Sequence, residues 1–181
     1  MNSSARISTR DLCMIGLWTA VIAVMSQFSI PMPMGVPMTM QTFAISLAAI
    51  VLGARKSTLA TGIYVLLGAI GIPVFANFSG GLSYVVGPTG GFILSFPIMA
   101  FIIGLGSEYG IKNKGVFIGA LVMGTVINYI VGVLMFCIIT KSPIQTGIMA
   151  CVLPFIPTAI IKAVLASVLG LQMRRRLVKI A

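Results

Sequence analysis

Long, nearly charge-free apolar blocks separated by short breaks constrain this chain more than any other feature. The blocks run over 12–30, 39–53, 57–72, 92–106, 114–139 and 147–173. Roughly 20 consecutive apolar residues are needed to cross the hydrocarbon of a bilayer, and these blocks approach or exceed that length. A transmembrane barrel would need short segments of alternating polarity, whereas these blocks are apolar on all sides. The pattern predicts an all-α integral membrane protein, a single domain over 1–181 with six transmembrane helices. Only 8% of residues are charged, against about 25% in ordinary globular domains. That supply cannot cover a water-facing surface.

The charge that exists is mostly positive: 12 Lys and Arg against 2 Asp and Glu. Such a balance can signal nucleic-acid binding, but here the cations sit at block ends, with no basic face and no aromatic platform. They follow the positive-inside bias instead. With six spans, Arg6 and Arg10, Arg55 and Lys56, Lys112 and Lys114, and the Arg174–Lys179 group share one side; Lys141 falls on the other. This asymmetry predicts that both termini are cytoplasmic. The run that follows Arg6 and Arg10 is too long for a signal-peptide core and lacks a small-x-small cleavage pattern, so it reads as a retained first span.

Cys13, Cys137 and Cys151 lie inside apolar blocks without metal-ligand spacing, and the chain has no histidine. They read as packing residues. No acid pair or metal set suggests catalysis, so the chain reads as a non-enzyme with no cofactor or metal of its own. Small residues recur four apart at Gly16/Ala20, Gly115/Gly119 and Ala120/Gly124, a spacing that lets helices approach closely in lipid.

One cation breaks the pattern. Lys162 stands within the last block, about three helical turns before Arg174. A lysine near a helix centre costs about 2.5–3.5 kcal/mol on insertion scales. The two acids, Asp11 and Glu108, fall at the opposite, cytoplasmic boundary and cannot neutralise it. A carbonyl cluster, water or an anionic ligand must therefore receive the ammonium; the plain alternative is a lysine snorkelling along a wet crevice.

Two uncharged outer segments, 31–38 and 73–91, interrupt the blocks, and the second reads as a lid over a pocket. The second is too rich in Gly for a span and too poor in charge for an ordinary loop; irregular backbone at membrane depth is tolerated where it lines a cavity. Thr39 and Gln41 bring donors and acceptors to the same side. Asn128, inside the fifth block, reads as interhelical glue in preference to a ligand contact. Together these features point to binding or transport of a small anionic solute.

The motifs resemble the BioY family, the biotin-binding substrate subunits of energy-coupling-factor (ECF) transporters. The resemblance covers nearly the whole chain. It rests on Pro37-x-Thr39-x-Gln41, Gly71-Ile-Pro73-Val-Phe75-Ala76, Gly80-Gly81, Gly87-Pro-Thr-Gly-Gly91, and Pro154-Phe-Ile-Pro157 followed by Lys162. It implies a six-helix substrate-subunit fold, a biotin pocket near the outer face, and three partner subunits: a transmembrane coupling subunit and two ATPases. The ligand residues that this suggests are Lys162 for the carboxylate, Asn77, Gln41, Thr39 and Tyr84 for the ureido ring, and Phe75 or Tyr84 against the sulfur ring, with Asn128 nearby. Gly16 and Ala20 match imperfectly an Ala-x-x-x-Ala-like pattern that faces the coupling subunit. At Ala159, three residues before the lysine, the family usually carries an acid. A different small anionic vitamin, a membrane enzyme or a structural subunit are the competing readings.

Overall fold

The computed structural model describes residues 8–32, 36–110 and 113–180. Arg6, Lys112 and positions 33–35 of the first outer segment lie outside the described residues, as does the Lys179 side chain. The described chain is mostly helical. Helix α1 (Thr9–Ser26) leads to a two-stranded antiparallel hairpin, β1 (Ser29–Ile30) and β2 (Met38–Thr39), with Ser29 opposite Thr39. Then follow α2 (Gln41–Leu52), α3 (Ala54–Ala69), a short α4 (Leu82–Val85), α5 (Gly90–Tyr109), α6 (Lys114–Thr140), α7 (Ile144–Cys151) and α8 (Ile156–Ile180). Short 3₁₀ turns at Ala76–Phe78 and Leu153–Phe155 fill two of the connections.

Four stretches are long and apolar enough to cross a membrane: α1, α5, α6 and the α7–α8 run. At 12 residues, α2 reaches only about 18 Å at 1.5 Å per residue. It is the centre of the molecule all the same. From Phe43 to Val51 every residue is buried, because an all-apolar helix is stable only when surrounded. Its neighbours are α1, α3, α5 and α8.

The apolar blocks and the helices do not coincide at every end. The first block extends to Ile30, but α1 stops at Ser26 and the block's tail becomes β1. Apolarity reports burial or lipid contact and does not distinguish helix from strand over so few residues. The last block is also broken. Pro154 and Pro157 have no N–H to donate, so Pro154 stands in a 3₁₀ turn and Pro157 in the first turn of α8, where no donor is required.

At one end of the bundle the polar side chains tie helix termini together. Capped by Ser8, α1 carries Asp11 in its first turn, and Asp11 Oδ1 lies 2.5 Å from Lys56 Nζ on α3. Between α2 and α3, Gly53 takes φ +80°, a conformation costly for residues with a Cβ, and the freed Ala54 N–H donates to Glu108 Oε1 at 2.8 Å. Arg174 on α8 donates to the Ile50 carbonyl at 2.9 Å and to Ser107 Oγ at 2.5 Å. Both acids therefore serve the end that carries the basic clusters. The hairpin and the 73–91 segment lie at the other end.

Of the small-residue pairs, Ala120 and Gly124 lie in the α5–α6 contact: Gly124 packs on Ile103, and Ala120 occupies the space that Gly106 leaves. Gly16 and Ala20 are exposed, and nothing lies within 4 Å of where a Cβ on Gly16 would be.

Candidate functional site

At the hairpin end, a cavity of about 510 Å³ opens between two packed groups of side chains. That volume is in the range of small-molecule sites. The main core reaches it through Phe75, Ile93 and Phe96; a smaller core reaches it through Val36, Cys151 and Phe155. Cys13, Cys137 and Cys151 are all free thiols. Among the described residues no cluster of His, Cys, Asp and Glu could hold a metal.

Lys162 enters from α8, and its Nζ donates to the Thr39 carbonyl on β2 at 2.6 Å. A carbonyl is thus its partner in the protein, one of the three solutions open to an ammonium without an acid. Thr39 is also held by its side chain, which donates to Gln41 Oε1 at 2.8 Å. The Gln41 amide in turn donates to the Tyr64 hydroxyl at 2.6 Å. Gln41 and Tyr64 are buried, so each bond spares a polar group that would otherwise face apolar surroundings unpaired. This chain runs from α8 through the hairpin and α2 to α3.

The 73–91 segment supplies one wall. Phe75 is buried, with its ring edge-on to Tyr64 at 5.6 Å. It fits because position 68 is glycine: a Cβ there would stand 2.1 Å from the ring. Asn77 and Phe78 both adopt the left-handed conformation, at φ 57° and 55°. The Asn77 carboxamide accepts from Ser29 Oγ at 2.5 Å. Tyr84, on α4, lines the cavity while remaining 44% exposed, as expected of a residue at its mouth.

The opposite wall comes from α5 and α6. Asn128 is buried and donates to the Phe92 carbonyl at 3.0 Å and to Ser95 Oγ at 2.8 Å. It joins two helices and also borders the cavity. The Phe92 ring lies over Gly132, where a Cβ would meet it at 2.2 Å, and sits edge-on to Tyr129 at 6.4 Å.

Lys162, Asn77, Tyr84, Gln41, Thr39, Phe75, Asn128 and Ala159 thus all line one cavity. Ala159 lies one helical turn before Lys162, and the lining contains no acid. Sequence reasoning did not single out Tyr64, Phe92 or Tyr129. Aromatic residues in apolar blocks carry no signal that separates a cavity wall from ordinary core.

A cavity whose described lining holds aromatic and amide side chains, one ammonium and no carboxylate, at one end of a bundle with membrane-length helices, is the arrangement of a membrane protein with a site for a small solute. The chain belongs to the BioY family, whose model matches residues 1–179. It is 40% identical over 166 residues to the biotin transporter BioY of Thermotoga maritima, an alignment covering 92% of this chain and 96% of that one. It is 39% identical to the biotin transporter BioY2 of Lactococcus lactis subsp. cremoris, covering 92% and 91%. Its fold is similar to the crystal structure of the S-component for biotin from an ECF-type ABC transporter. The TM-score is 0.84 at 28% identity, with 97% of this chain and 95% of that one covered.

Proposed function

We propose that this chain binds biotin and serves in its uptake as the substrate-specific subunit of an ECF-type vitamin transporter. The observation that carries the reading is the cavity itself: among the described residues Lys162 is the sole charged side chain in its lining, set among aromatic and amide groups. Biotin has matching parts. Its carboxylate is an anion for Lys162. Its ureido ring needs donors and acceptors such as Asn77, Gln41, Thr39 and Tyr84 provide, and its sulfur ring packs against Phe75 or Tyr84. Asn128 borders the same space and keeps α5 and α6 in register around it.

The six longer helices form the bundle within the plasma membrane, with the short α2 enclosed by its neighbours, both termini in the cytoplasm and the cavity toward the outside. The basic residues support this, since Arg10, Lys56 and Arg174 gather at the end away from the cavity. Energy comes from a coupling subunit and two ATPases, and the chain itself is not an enzyme. The exposed α1 face at Gly16 and Ala20 is the surface offered to the coupling subunit, since small residues allow close helix contact.

Calorimetry on the purified chain in detergent tests the reading. Saturable biotin binding is expected, with biotin outcompeting other small anionic vitamins. Absence of saturation, or tighter binding of another vitamin, overturns the assignment of the ligand. Copurification of a coupling subunit and ATPases with tagged chain tests the assembly.

A further inference from the structure

Asn77 borders the cavity in a turn whose second residue, Phe78, disfavours the conformation it adopts. Two successive non-glycine residues with positive φ are uncommon, and a bulky one such as Phe78 is the less tolerant of the pair. Something outside the turn must hold it. Gln27, just past the end of α1, does so from 51 positions away: its Oε1 accepts the Phe78 N–H at 2.8 Å. The other half of the same carboxamide is anchored, because Nε2 donates to the Ala23 carbonyl at 3.0 Å, to Ser26 Oγ at 2.9 Å and to the Val74 carbonyl at 3.3 Å. Ser26 Oγ donates in turn to the Ala23 and Val74 carbonyls. The amide orientation is therefore determined by its donors, and the acceptor is left for Phe78. Two residues further on, Ser29 engages Asn77 Oδ1. That leaves the Asn77 N–H groups, without a partner among the described residues, to meet an acceptor in the cavity.

We propose that Gln27 is a positioning residue for ligand capture: through the Phe78 amide it holds Asn77 where its side-chain N–H groups reach the bound solute. Gln27 is not part of the cavity lining. The proposal rests on the reading of Asn77 as a biotin contact.

A double-mutant cycle separates the two claims. Biotin dissociation constants are measured by calorimetry for the full chain, Gln27→Met, Asn77→Ala and the double variant. Removing one hydrogen bond that orders the turn is expected to weaken binding about five- to tenfold. Asn77→Ala is expected to do at least as much, and the double variant no more than Asn77→Ala alone. Gln27→Glu retains an acceptor for the Phe78 N–H but loses the Nε2 donor that anchors it, so it should recover only part of the affinity lost in Gln27→Met. If Gln27→Met does not fold, Gln27→Asn, too short to reach Phe78, takes its place. Full affinity in Gln27→Met with a loss in Asn77→Ala overturns the positioning role alone. Additive losses show a general structural effect and also overturn it. Unchanged affinity in Asn77→Ala overturns the biotin contact and the positioning role together.

Discussion

Lys162 Nζ donates to the Thr39 carbonyl over 2.6 Å, a bond between α8 and β2 that spans 123 positions of sequence. It gives a partly buried ammonium an acceptor without giving it a counter-charge. No acid among the described lining residues neutralises it, so an anion can still be received there, while the hairpin is tied to the helix that carries the cation.

If that ammonium receives the biotin carboxylate, Lys162→Met weakens biotin binding about 10- to 150-fold, the range for a hydrogen bond to a charged group. The comparison that isolates the charge uses a biotin amide, whose valeryl end is neutral. Calorimetry with both ligands is expected to show a large loss for biotin and a small one for the amide. Equal losses mean that Lys162 acts on another part of the ligand.

The bond from Gln41 Nε2 to the Tyr64 hydroxyl lies in the buried part of the site. Tyr64→Phe strands a buried amide donor and is expected to lower stability by about 1–3 kcal/mol. Adding Gln41→Leu removes the stranded donor and recovers part of that loss, although biotin binding falls because Thr39 loses its acceptor. Thermal unfolding of the three purified variants reads the cycle. Losses that simply add rule out a shared bond.

Gly68→Ala drives a methyl group into the Phe75 ring, which is buried and has nowhere to retreat except toward the cavity. Overpacking of this kind costs about 1–3 kcal/mol. Both the unfolding temperature and the affinity for biotin are expected to fall. In the isolated subunit, Gly16→Ala is the control, because nothing lies within 4 Å of the added carbon. A Gly68→Ala chain that melts and binds like the unchanged protein shows that the Phe75 position does not depend on this gap.

Much of the cavity lining was legible because its polar residues are anomalies in their setting. Lys162 is a cation among apolar residues, Asn128 an amide within an apolar block, Thr39 and Gln41 polar residues at the outer end of another, and Asn77 lies in an uncharged segment that does not suit an ordinary loop. Gln27 carried no such signal. A glutamine one residue past a helix is common, and its importance comes from reaching Phe78, which no spacing rule connects to it. Tyr64 was equally silent, since an aromatic in an apolar block is the expected content of a helix.

The sequence by itself determined that this chain is helical and membrane-embedded, and that its basic clusters and its uncharged segments belong to opposite ends. Those conclusions depend only on which residue types occur and in what order, because hydrocarbon excludes charge and unpaired backbone wherever they stand. The tertiary structure alone decided that α1 ends at Ser26, that Pro154 stands in a turn between α7 and α8, that Arg174 docks on Ile50 and Ser107, and that Lys162 meets the Thr39 carbonyl. Each of these hydrogen bonds has a range of about 3 Å and joins residues far apart in the chain. Their partners exist only once α2 is enclosed and its neighbours have packed around it.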